Sequence, residues 1–414
     1  MPGRRKINYT HNRTSFRLPG TKFQTGSRMK QKILLTINSL RSGGAERVVS
    51  QLLAHLQDDF DIHLALYNHT IEYNIPENIK ILDLNQSEND GQVSMLLKLP
   101  WLSYKVSRYC KQNDIRYSVA FLNRPCYINA LMRSLWGYKG RMVMCERTHQ
   151  TAMLKTKSAL TSAITKFLIK ASYNRADLVL ANATAMKKDL HENLHVNTAI
   201  QVIYNPVDIL DLQLKIQEPV NFDFTDKTFY FIAVGNFRKE KNFPVLLDAF
   251  ALIKEVDCKL LLIGDGIMEK TLRQKVIELR IADRVVFCGR DNNPFKYIYK
   301  CDSFVLCSDV EGFPNVLLEA LACGKPVIST DCKSGPREML APETDPAIQL
   351  TDRFSEEEFG ILTPVGNAAI MAEAMKKMAT DENLRNRLAE KSAKRAADFD
   401  ISVIRKYFVK AFAG

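Results

Sequence analysis

Residues 309–328 read D-V-E-G-F-P-N-V-L-L-E-A-L-A-C-G-K-P-V-I, which sets Glu311 and Glu319 eight positions apart across a Gly-Phe-Pro turn. The apolar run 303–307 predicts a buried parallel strand before the turn, and 315–323 predicts an amphipathic helix after it. Glu311 then lies at the carboxyl end of a strand, where open α/β sheets bind ligands, and the amide-rich start of the helix favours phosphate. Because Glu319 lies about two turns into the helix, one extended ligand can contact both carboxylates.

The residues that follow this glutamate pair help to decide whether the pair has a function. By itself, a loop glutamate and a helix glutamate at this spacing can be solvated and without function. Here the pair is followed by G-K-P-V-I-S-T-D and then S-G-P-R-E, a further strand that ends in a Gly-Pro turn. With these motifs the chain resembles the retaining glycosyltransferases of family 4, which have the GT-B fold and a Glu-x7-Glu signature followed by A-x-A-x-G-x-P-V-I. The resemblance requires that the predicted strand, turn and helix form.

Length and composition indicate a globular protein of two domains. The chain has 414 residues, of which 46% are apolar and 25% charged, and a chain of this length exceeds one typical core. The best candidate for a membrane span, 158–172, is interrupted by two lysines and is too short. Nine scattered cysteines without a C-x-x-C pair predict reduced thiols in a cytosolic protein. All seven histidines precede residue 200 without metal-ligand spacing, so no zinc site is expected.

The excess of positive over negative charge is confined to the first half of the chain. Residues 1–219 hold 30 Lys and Arg against 17 Asp and Glu, whereas residues 220–414 hold 28 against 29. The first half therefore predicts an anionic partner, and an acidic membrane surface and nucleic acid both stay open at this point. Residues 1–28 are basic and lack apolar periodicity, which predicts a disordered leader. Two origins of the leader stay open, a native extension and a segment added ahead of Met29.

Alternating strands and helices predict an α/β fold of two Rossmann-like, doubly wound domains facing a central cleft, the GT-B arrangement that the resemblance implies. In the first half, six apolar runs predict strands, at 33–37, 62–67, 118–122, 141–145, 178–181 and 201–204. We expect four regions after the leader: an acceptor-binding domain at 29–205, a linker at 206–228, a nucleotide-sugar-binding domain at 229–385, and a C-terminal helix at 386–414 that crosses back to the first domain.

The start of the second domain, V-G-N-F-R-K-E-K-N-F at 234–243, places cations after a strand-end glycine. A nucleotide-sugar diphosphate needs positive charge when the glycosidic bond breaks. Lys241 matches the family lysine of V-G-R-L-x-x-x-K-G, but Asn236 stands at the family arginine. Arg238 is the cation that the sequence offers in its place. The alternative interpretation is a solvated cluster at a helix start.

In the first domain, S-G-G-A-E-R-V at 42–48 follows the first strand, and its adjacent glycines permit a close approach of the backbone to a ligand. In the family this loop faces the donor diphosphate or the acceptor. His149 follows the strand 141–145 and corresponds to a cleft histidine that contacts the transferred sugar in many family members; a structural histidine is the alternative. Glu146 and Arg147 in the same loop are weaker candidates.

The predicted site joins these motifs. The resemblance implies catalytic roles for Glu311, Arg238, Lys241 and His149. It implies donor binding by Gly43, Gly44, Gly235, Asn236, Gly264, Arg290, Gly312, Phe313, Pro314, Asn315 and Glu319. The two D-x-D triplets, at 59–61 and 398–400, do not end strands at the predicted rim, so neither metal nor cofactor is expected.

The resemblance implies a retaining, metal-independent hexosyltransferase of bacterial polysaccharide or glycan biosynthesis. Its donor would be a UDP-sugar (GalNAc, GlcNAc, Gal or Glc) and its acceptor a glycan on a polyprenyl diphosphate. The basic amphipathic segment 153–175 adds an anionic membrane surface as a partner, with peripheral attachment to the inner face of the cell membrane. One alternative is a GT-B sugar-nucleotide 2-epimerase. A nucleic-acid-binding module is weaker still, because no aromatic-basic stacking motif is present, so nucleic acid is not expected as a partner.

Overall fold

A computed structural model describes residues 30–41, 43–87, 92–225 and 227–414, and for Gln92 and Val93 only the backbone. The predicted leader 1–28 lies outside these residues. Two seven-stranded sheets organise the described chain, one on each side of residue 228.

The first sheet is parallel throughout, in the order β3-β2-β1-β4-β5-β6-β7. Its strands are β1 Gln31–Ile37, β2 Phe60–Leu66, β3 Lys80–Asp83, β4 Tyr117–Phe121, β5 Arg141–Glu146, β6 Leu178–Ala181 and β7 Ile200–Val202. All six predicted strands are confirmed. The prediction missed β3, because this edge strand is largely exposed and so lacks the apolar run of a buried strand.

The second sheet has the order β10-β9-β8-β11-β12-β14-β13, with β13 antiparallel to its neighbour and the other pairs parallel. Its strands are β8 Phe229–Val234, β9 Cys258–Ile263, β10 Val285–Gly289, β11 Ser303–Leu306, β12 Val327–Thr330, β13 Ser355–Glu356 and β14 Ile361–Thr363. In each sheet the chain adds strands from a central strand first toward one edge and then toward the other edge. The doubly wound prediction is therefore confirmed.

Helices cover both faces of each sheet, which is why the strands are apolar on both sides. Ile33 packs with α1 and α15, whereas Leu34 packs with α2 and α3 on the opposite face. The helices before the second sheet are α1 Gly44–His55, α2 Gln92–Gln112, α3 Asn123–Trp136, α4 Gln150–Leu154, α5 Ala159–Tyr173, α6 Thr184–Lys188 and α7 Ile209–Lys215. Those after its start are α8 Phe243–Leu252, α9 Glu269–Glu278, α10 Phe295–Lys300, α11 Asn315–Ala322, α12 Gly335–Leu340, α13 Ala368–Thr380, α14 Glu382–Ala397 and α15 Ile401–Ala413. In the described part of the chain, no helix combines the length and apolarity needed to cross a bilayer.

The chain differs from the predicted boundaries in two places. The expected linker 206–228 contains α7, which Asp208 caps by accepting a hydrogen bond from the Asp211 amide at 3.0 Å. The expected final helix 386–414 is two helices. Of these, α14 packs on the second domain and α15 on the first.

The chain passes between the domains twice, and the two crossings are hydrogen-bonded to each other. The Val207 amide donates to the Phe399 carbonyl, and the Ile401 amide donates to the Val207 carbonyl, each at 2.9 Å. Beside them the rings of Tyr204, Phe313 and Phe399 pack with centroids 4.9 to 5.5 Å apart. These contacts join the two domains at one end of the cleft.

Candidate active site

The Glu311 carboxylate lies in the loop between β11 and α11, as predicted. It is 9% exposed. Its Oε1 accepts hydrogen bonds from Lys241 Nζ at 2.6 Å and Ser308 Oγ at 2.7 Å. Burial alone would lower the Lys241 pKa, but the adjacent carboxylate outweighs burial and raises it. The structure therefore places a charged lysine against the loop carboxylate at the carboxyl end of the strand.

Glycine is required where this loop meets the first domain. A Cβ on Gly312 would lie 2.3 Å from the Arg147 carbonyl oxygen. A Cβ on Gly335 would lie 2.6 Å from the Gly312 carbonyl, to which the Gly335 amide donates a hydrogen bond. Any larger side chain at either position would push this loop away from its neighbours.

Glu319 is 4% exposed and contacts the first domain directly. The Arg47 guanidinium, from α1, donates a hydrogen bond to Glu319 Oε1 and lies over the Phe295 ring at 5.0 Å. A second ion pair joins Arg290 after β10 to Glu72 after β2. Two ion pairs of opposite polarity therefore bridge the cleft. The sequence analysis missed Arg47 and Glu72 because their partners are distant in the chain, although Arg47 lies within the quoted glycine motif.

Gly264 and Gly266 follow β9 and pack against the backbone of the turn that follows β8. Gly264 has φ +144°, and a Cβ there would lie 2.0 Å from the Gly235 carbonyl oxygen. Gly266 has φ +151°, and a Cβ there would lie 2.7 Å from the Phe237 carbonyl oxygen. Only glycine fits these positions, so the sequence signal here reflects close approach of the chain.

A network of two asparagines connects both domains: Asn315 belongs to the predicted site, whereas Asn205 is an addition from the structure. Asn205 Nδ2 donates to the Phe313 carbonyl at 2.9 Å and to Asn315 Oδ1 at 2.7 Å, and Asn205 Oδ1 accepts from Arg147 Nη1 at 2.8 Å. Asn315 Nδ2 donates in turn to the Gly44 carbonyl at 2.8 Å. The network holds the Glu311 loop against the first domain.

One cleft of about 890 Å³ lies between the domains, and the ion-paired side chains and the two asparagines described above line it, whereas Ser308, Gly266 and Gly335 lie outside its lining. From the predicted site it collects Gly43, Gly44, Gly235, Asn236, Arg238, Lys241, Gly264, Arg290, Glu311, Gly312, Phe313, Pro314, Asn315 and Glu319. The structure thus brings together every predicted site residue except His149.

His149 is not among the residues that line the cleft. It caps α4 by accepting from the Ala152 amide at 3.4 Å, and its Nδ1 lies 3.2 Å from Asp189 Oδ2. Burial lowers its pKa, which favours the neutral ring at pH 7. As placed here, His149 holds the rim loop, whereas its neighbour Arg147 lines the cleft.

Across the described ranges, no cluster of three or more His, Cys, Asp or Glu has the geometry to hold a metal ion. The D-x-D carboxylates serve the structure elsewhere. Asp59 pairs with Arg405 at 2.7 Å, and Asp400 caps α15 by accepting from the Ser402 amide at 2.9 Å.

Residues 42–209 match Glycosyltransferase Family 4, and residues 215–395 match Glycosyl transferases group 1. The chain is 38% identical, over 93% of its length and 100% of the relative, to the N-acetylgalactosamine-N,N'-diacetylbacillosaminyl-diphospho-undecaprenol 4-alpha-N-acetylgalactosaminyltransferase of Campylobacter jejuni. It is 25% identical, over 92% of its length and 98% of the relative, to a second alpha-1,4-N-acetyl-D-galactosaminyltransferase of that organism.

Solved structures share the fold at low sequence identity. Sucrose-phosphate synthase from Thermosynechococcus elongatus superposes with a TM-score of 0.76 at 18% identity, covering 93% of this chain and 98% of that one. WaaG, a glycosyltransferase involved in lipopolysaccharide biosynthesis, superposes with a TM-score of 0.69 at 14% identity, covering 92% and 100%. The two sheets, the shared cleft and these matches confirm the predicted fold and family: the chain belongs to the family 4 glycosyltransferases and has the GT-B fold.

Proposed function

We propose that this glycosyltransferase moves an N-acetylhexosamine or hexose from a UDP-sugar to a glycan on a polyprenyl diphosphate, with retention of configuration and without a metal ion. The observation that carries the proposal is the meeting of Lys241, Glu311 and Glu319 on one cleft between the domains. The name of the Campylobacter relative supports a diphospho-undecaprenol acceptor and makes GalNAc the first sugar to test.

Each group has a role in this proposal. Glu319 binds the ribose hydroxyls, and Arg238 and Lys241 meet the diphosphate charge in place of a metal ion. The Glu311 carboxylate stabilises positive charge at the anomeric carbon, and the backbone amides of Gly312, Phe313 and Asn315 position the sugar. Because Glu311 already pairs with Lys241, front-face attack assisted by the leaving diphosphate fits better than a covalent sugar intermediate on this carboxylate.

The direct test is a screen of nucleotide sugars by thermal shift and slow hydrolysis, followed by transfer to a polyprenyl-diphosphate-linked glycan. We expect a UDP-sugar to raise Tm and to give an α-linked product with EDTA present. Conversion of the donor to free, inverted sugar without acceptor would favour the epimerase instead. Loss of transfer in EDTA that Mg²⁺ or Mn²⁺ restores would contradict metal independence.

The two glutamates are expected to separate donor binding from turnover. Glu319→Ala should weaken UDP-sugar binding by roughly tenfold, since it removes a charged hydrogen-bond acceptor for the ribose. Glu311→Gln should lower kcat by roughly tenfold with little change in donor affinity, because its contact strengthens as charge develops. Calorimetric Kd and steady-state kcat measure the two effects.

Glu373→Ala is the matched control for this pair, since Glu373 is an exposed carboxylate on α13 of the same domain. It should leave both quantities unchanged. Equal, near-normal Kd and kcat in the two active-site variants would remove both assignments.

Peripheral attachment to an anionic membrane completes the proposal. Lys155, Lys157, Lys166 and Lys170 in and before α5 are exposed, as are Leu160, Ile164 and Phe167 on the same helix. Such a helix binds anionic lipid through charge and apolar insertion together. It would bring the cleft close to a lipid-linked acceptor.

We expect the protein to sediment with vesicles that contain anionic lipid and to be released as salt rises, since salt screens exposed charges. Neutralising the four α5-region lysines together to glutamine should weaken binding strongly. The matched control neutralises four exposed lysines of the second domain, Lys254, Lys270, Lys300 and Lys376. Salt-independent binding to neutral vesicles, or equal losses in both sets, would count against this attachment.

A further inference from the structure

A second exposed apolar surface lies beside α5, where α2 meets the end of α3. It consists of Leu97, Trp101, Tyr104, Leu135 and Trp136, whose exposed fractions range from 42% to 77%. We call these five residues the aromatic corner. Exposed apolar residues grouped in this way indicate a surface that binds another protein, a membrane or a ligand.

The apolar residues of α2 form two sets along the helix, one exposed and one buried in the core. Leu97, Trp101 and Tyr104 follow at intervals of four and three residues and so form one stripe along the helix. Leu99 and Leu102 are buried against the first sheet. The helix is therefore apolar on two sides, and its own domain covers only one of them.

Specific contacts hold the rings of the aromatic corner outward. Tyr104 and Trp136 pack edge to face with centroids 5.0 Å apart, and Trp136 Nε1 donates a hydrogen bond to Ser103 Oγ at 2.8 Å. Lys105 Nζ lies 4.0 Å from the centre of the Trp101 ring. The corner thus presents ordered aromatic rings, each beside a polar or charged group.

The charge around the corner is of one sign. The segments 92–112, 123–136 and 150–173 contain ten Lys and Arg and no Asp or Glu. Their helices α2, α3 and α5 contribute Val106, Ile128 and Leu168 to one hydrophobic cluster on the same face of the first sheet. This face of the protein therefore combines an apolar surface with an excess of positive charge, in which Arg133 is paired with an acid outside the three segments, Asp177, at 2.7 Å.

We propose that the aromatic corner inserts into the interfacial layer of an anionic lipid bilayer, as a second contact in addition to α5. Trp and Tyr concentrate at that depth because their rings are apolar and their N–H or O–H groups stay hydrated, while the surrounding lysines meet anionic headgroups. Nucleic acid fits less well, since Leu97 and Leu135 offer it neither charge nor a stacking surface.

The inference rests on the proposed function, because a lipid-linked acceptor gives the protein a reason to bind a membrane. It adds the orientation of the protein on that membrane. Two contacts on one face fix how the protein lies on the bilayer, which a single helix does not. Because α3 and the α4–α5 segment follow the carboxyl ends of β4 and β5, they begin at the edge of the sheet that faces the cleft, whereas Leu135 and Trp136 lie at the opposite end of α3. The bilayer would then lie along this face of the domain, and the α4–α5 segment would bring the cleft edge toward a membrane-held diphosphate.

The test uses the native chain, because its two tryptophans are the two tryptophans of the corner. The protein is titrated with vesicles of phosphatidylglycerol and phosphatidylcholine while tryptophan emission is recorded. We expect a blue shift, protection from acrylamide, and quenching when the phosphatidylcholine carries bromine near the headgroup end of its chains. Sedimentation with vesicles without any change in emission would overturn the proposal.

A variant pair extends the test to affinity. Leu97→Ser with Trp101→Ser should lower vesicle partitioning at least tenfold, on the scale of insertion of such residues, while Trp136 still reports emission. Leu252→Ser with Ile277→Ser, exposed apolar residues of the second domain, is the matched control and should partition like the wild type. All four positions are exposed, and Tm checks that folding is intact.

Other occupants of the corner give different outcomes, and each would overturn the proposal. A blue shift that grows with protein concentration without vesicles identifies a second copy of this chain. A shift with single-stranded RNA but not with vesicles identifies nucleic acid. Hydrolysis of the UDP-sugar, measured without vesicles, is a separate readout, so failure of the corner and failure of the proposed chemistry can be told apart.

Discussion

Lys241→Ala is expected to lower kcat for sugar transfer by two to three orders of magnitude. Lys241 lines the cleft, and its Nζ lies 2.6 Å from Glu311 Oε1. Its raised pKa keeps it charged at neutral pH. Losing one charge-assisted contact to a leaving diphosphate costs about 2.7–4 kcal/mol in the transition state. Initial rates at saturating UDP-sugar and lipid-linked acceptor measure the effect.

This substitution also leaves the buried Glu311 carboxylate without its cation, which destabilises a fold independently of any chemistry. The double variant Lys241→Ala with Glu311→Gln removes both charges. It should recover Tm while remaining inactive. Lys239→Ala is the matched control, because Lys239 is exposed and does not line the cleft. A Lys241→Ala enzyme within about threefold of wild type, well short of that loss, would show that the lysine does not act on the donor.

The part of the site that the sequence predicted is local in the chain. The strand, turn and helix around Glu311 are confirmed as β11, its loop and α11, because apolar spacing and a Gly-Phe-Pro turn determine them over some twenty residues. The glycines at 235, 264 and 312 were also identified from local signals. For Gly264 and Gly312 the structural reason is a close approach of the backbone, since an added Cβ would lie 2.0 Å and 2.3 Å from a carbonyl oxygen.

The contacts across the cleft could not be predicted in this way. Arg47 and Glu319 are 272 residues apart, and Arg290 and Glu72 are 218 apart. No periodicity within either domain specifies which charges meet when the two sheets face each other. The placement of His149 could not be predicted either, although it is decided within one domain. His149 pairs with Asp189, which lies 40 positions away and whose burial no local pattern reveals.

These cross-cleft pairs affect how donor binding should be interpreted. In the structure the Glu319 carboxylate, proposed to bind ribose, already accepts a hydrogen bond from Arg47. A donor that bonds to Glu319 Oε1 has to displace this guanidinium, whereas one that uses Oε2 leaves the two domains bridged. We therefore expect donor affinity to depend on residues of both domains.

Arg238→Ala is expected to lower kcat by two to three orders of magnitude, because Asn236 occupies the family arginine position and another cation has to meet the diphosphate. Arg238 lies in the turn after β8, lines the cleft and is exposed. Across the cleft Arg238 faces Glu46. Burial raises the pKa of the Glu46 carboxyl, and the positive charge of Arg238 opposes this rise. A guanidinium with this reach can make the forked contact that a diphosphate accepts.

The exposure of Arg238 makes its variants easier to interpret than those of Lys241. Arg238 acts on Glu46 only as a nearby charge, so its loss should change Tm less than the loss of Lys241. Arg238→Lys keeps the charge without the fork, so its kcat should fall between those of the wild type and Arg238→Ala. Asn236→Ala should have a milder effect than either loss of charge. If Arg238→Ala were near wild type while Lys239→Ala were inactive, the diphosphate contacts would lie one residue further along. If both variants were near wild type, the turn after β8 would not hold the diphosphate, and other cations that line the same cleft, such as Arg47, Arg147 and Arg290, would have to meet its charge.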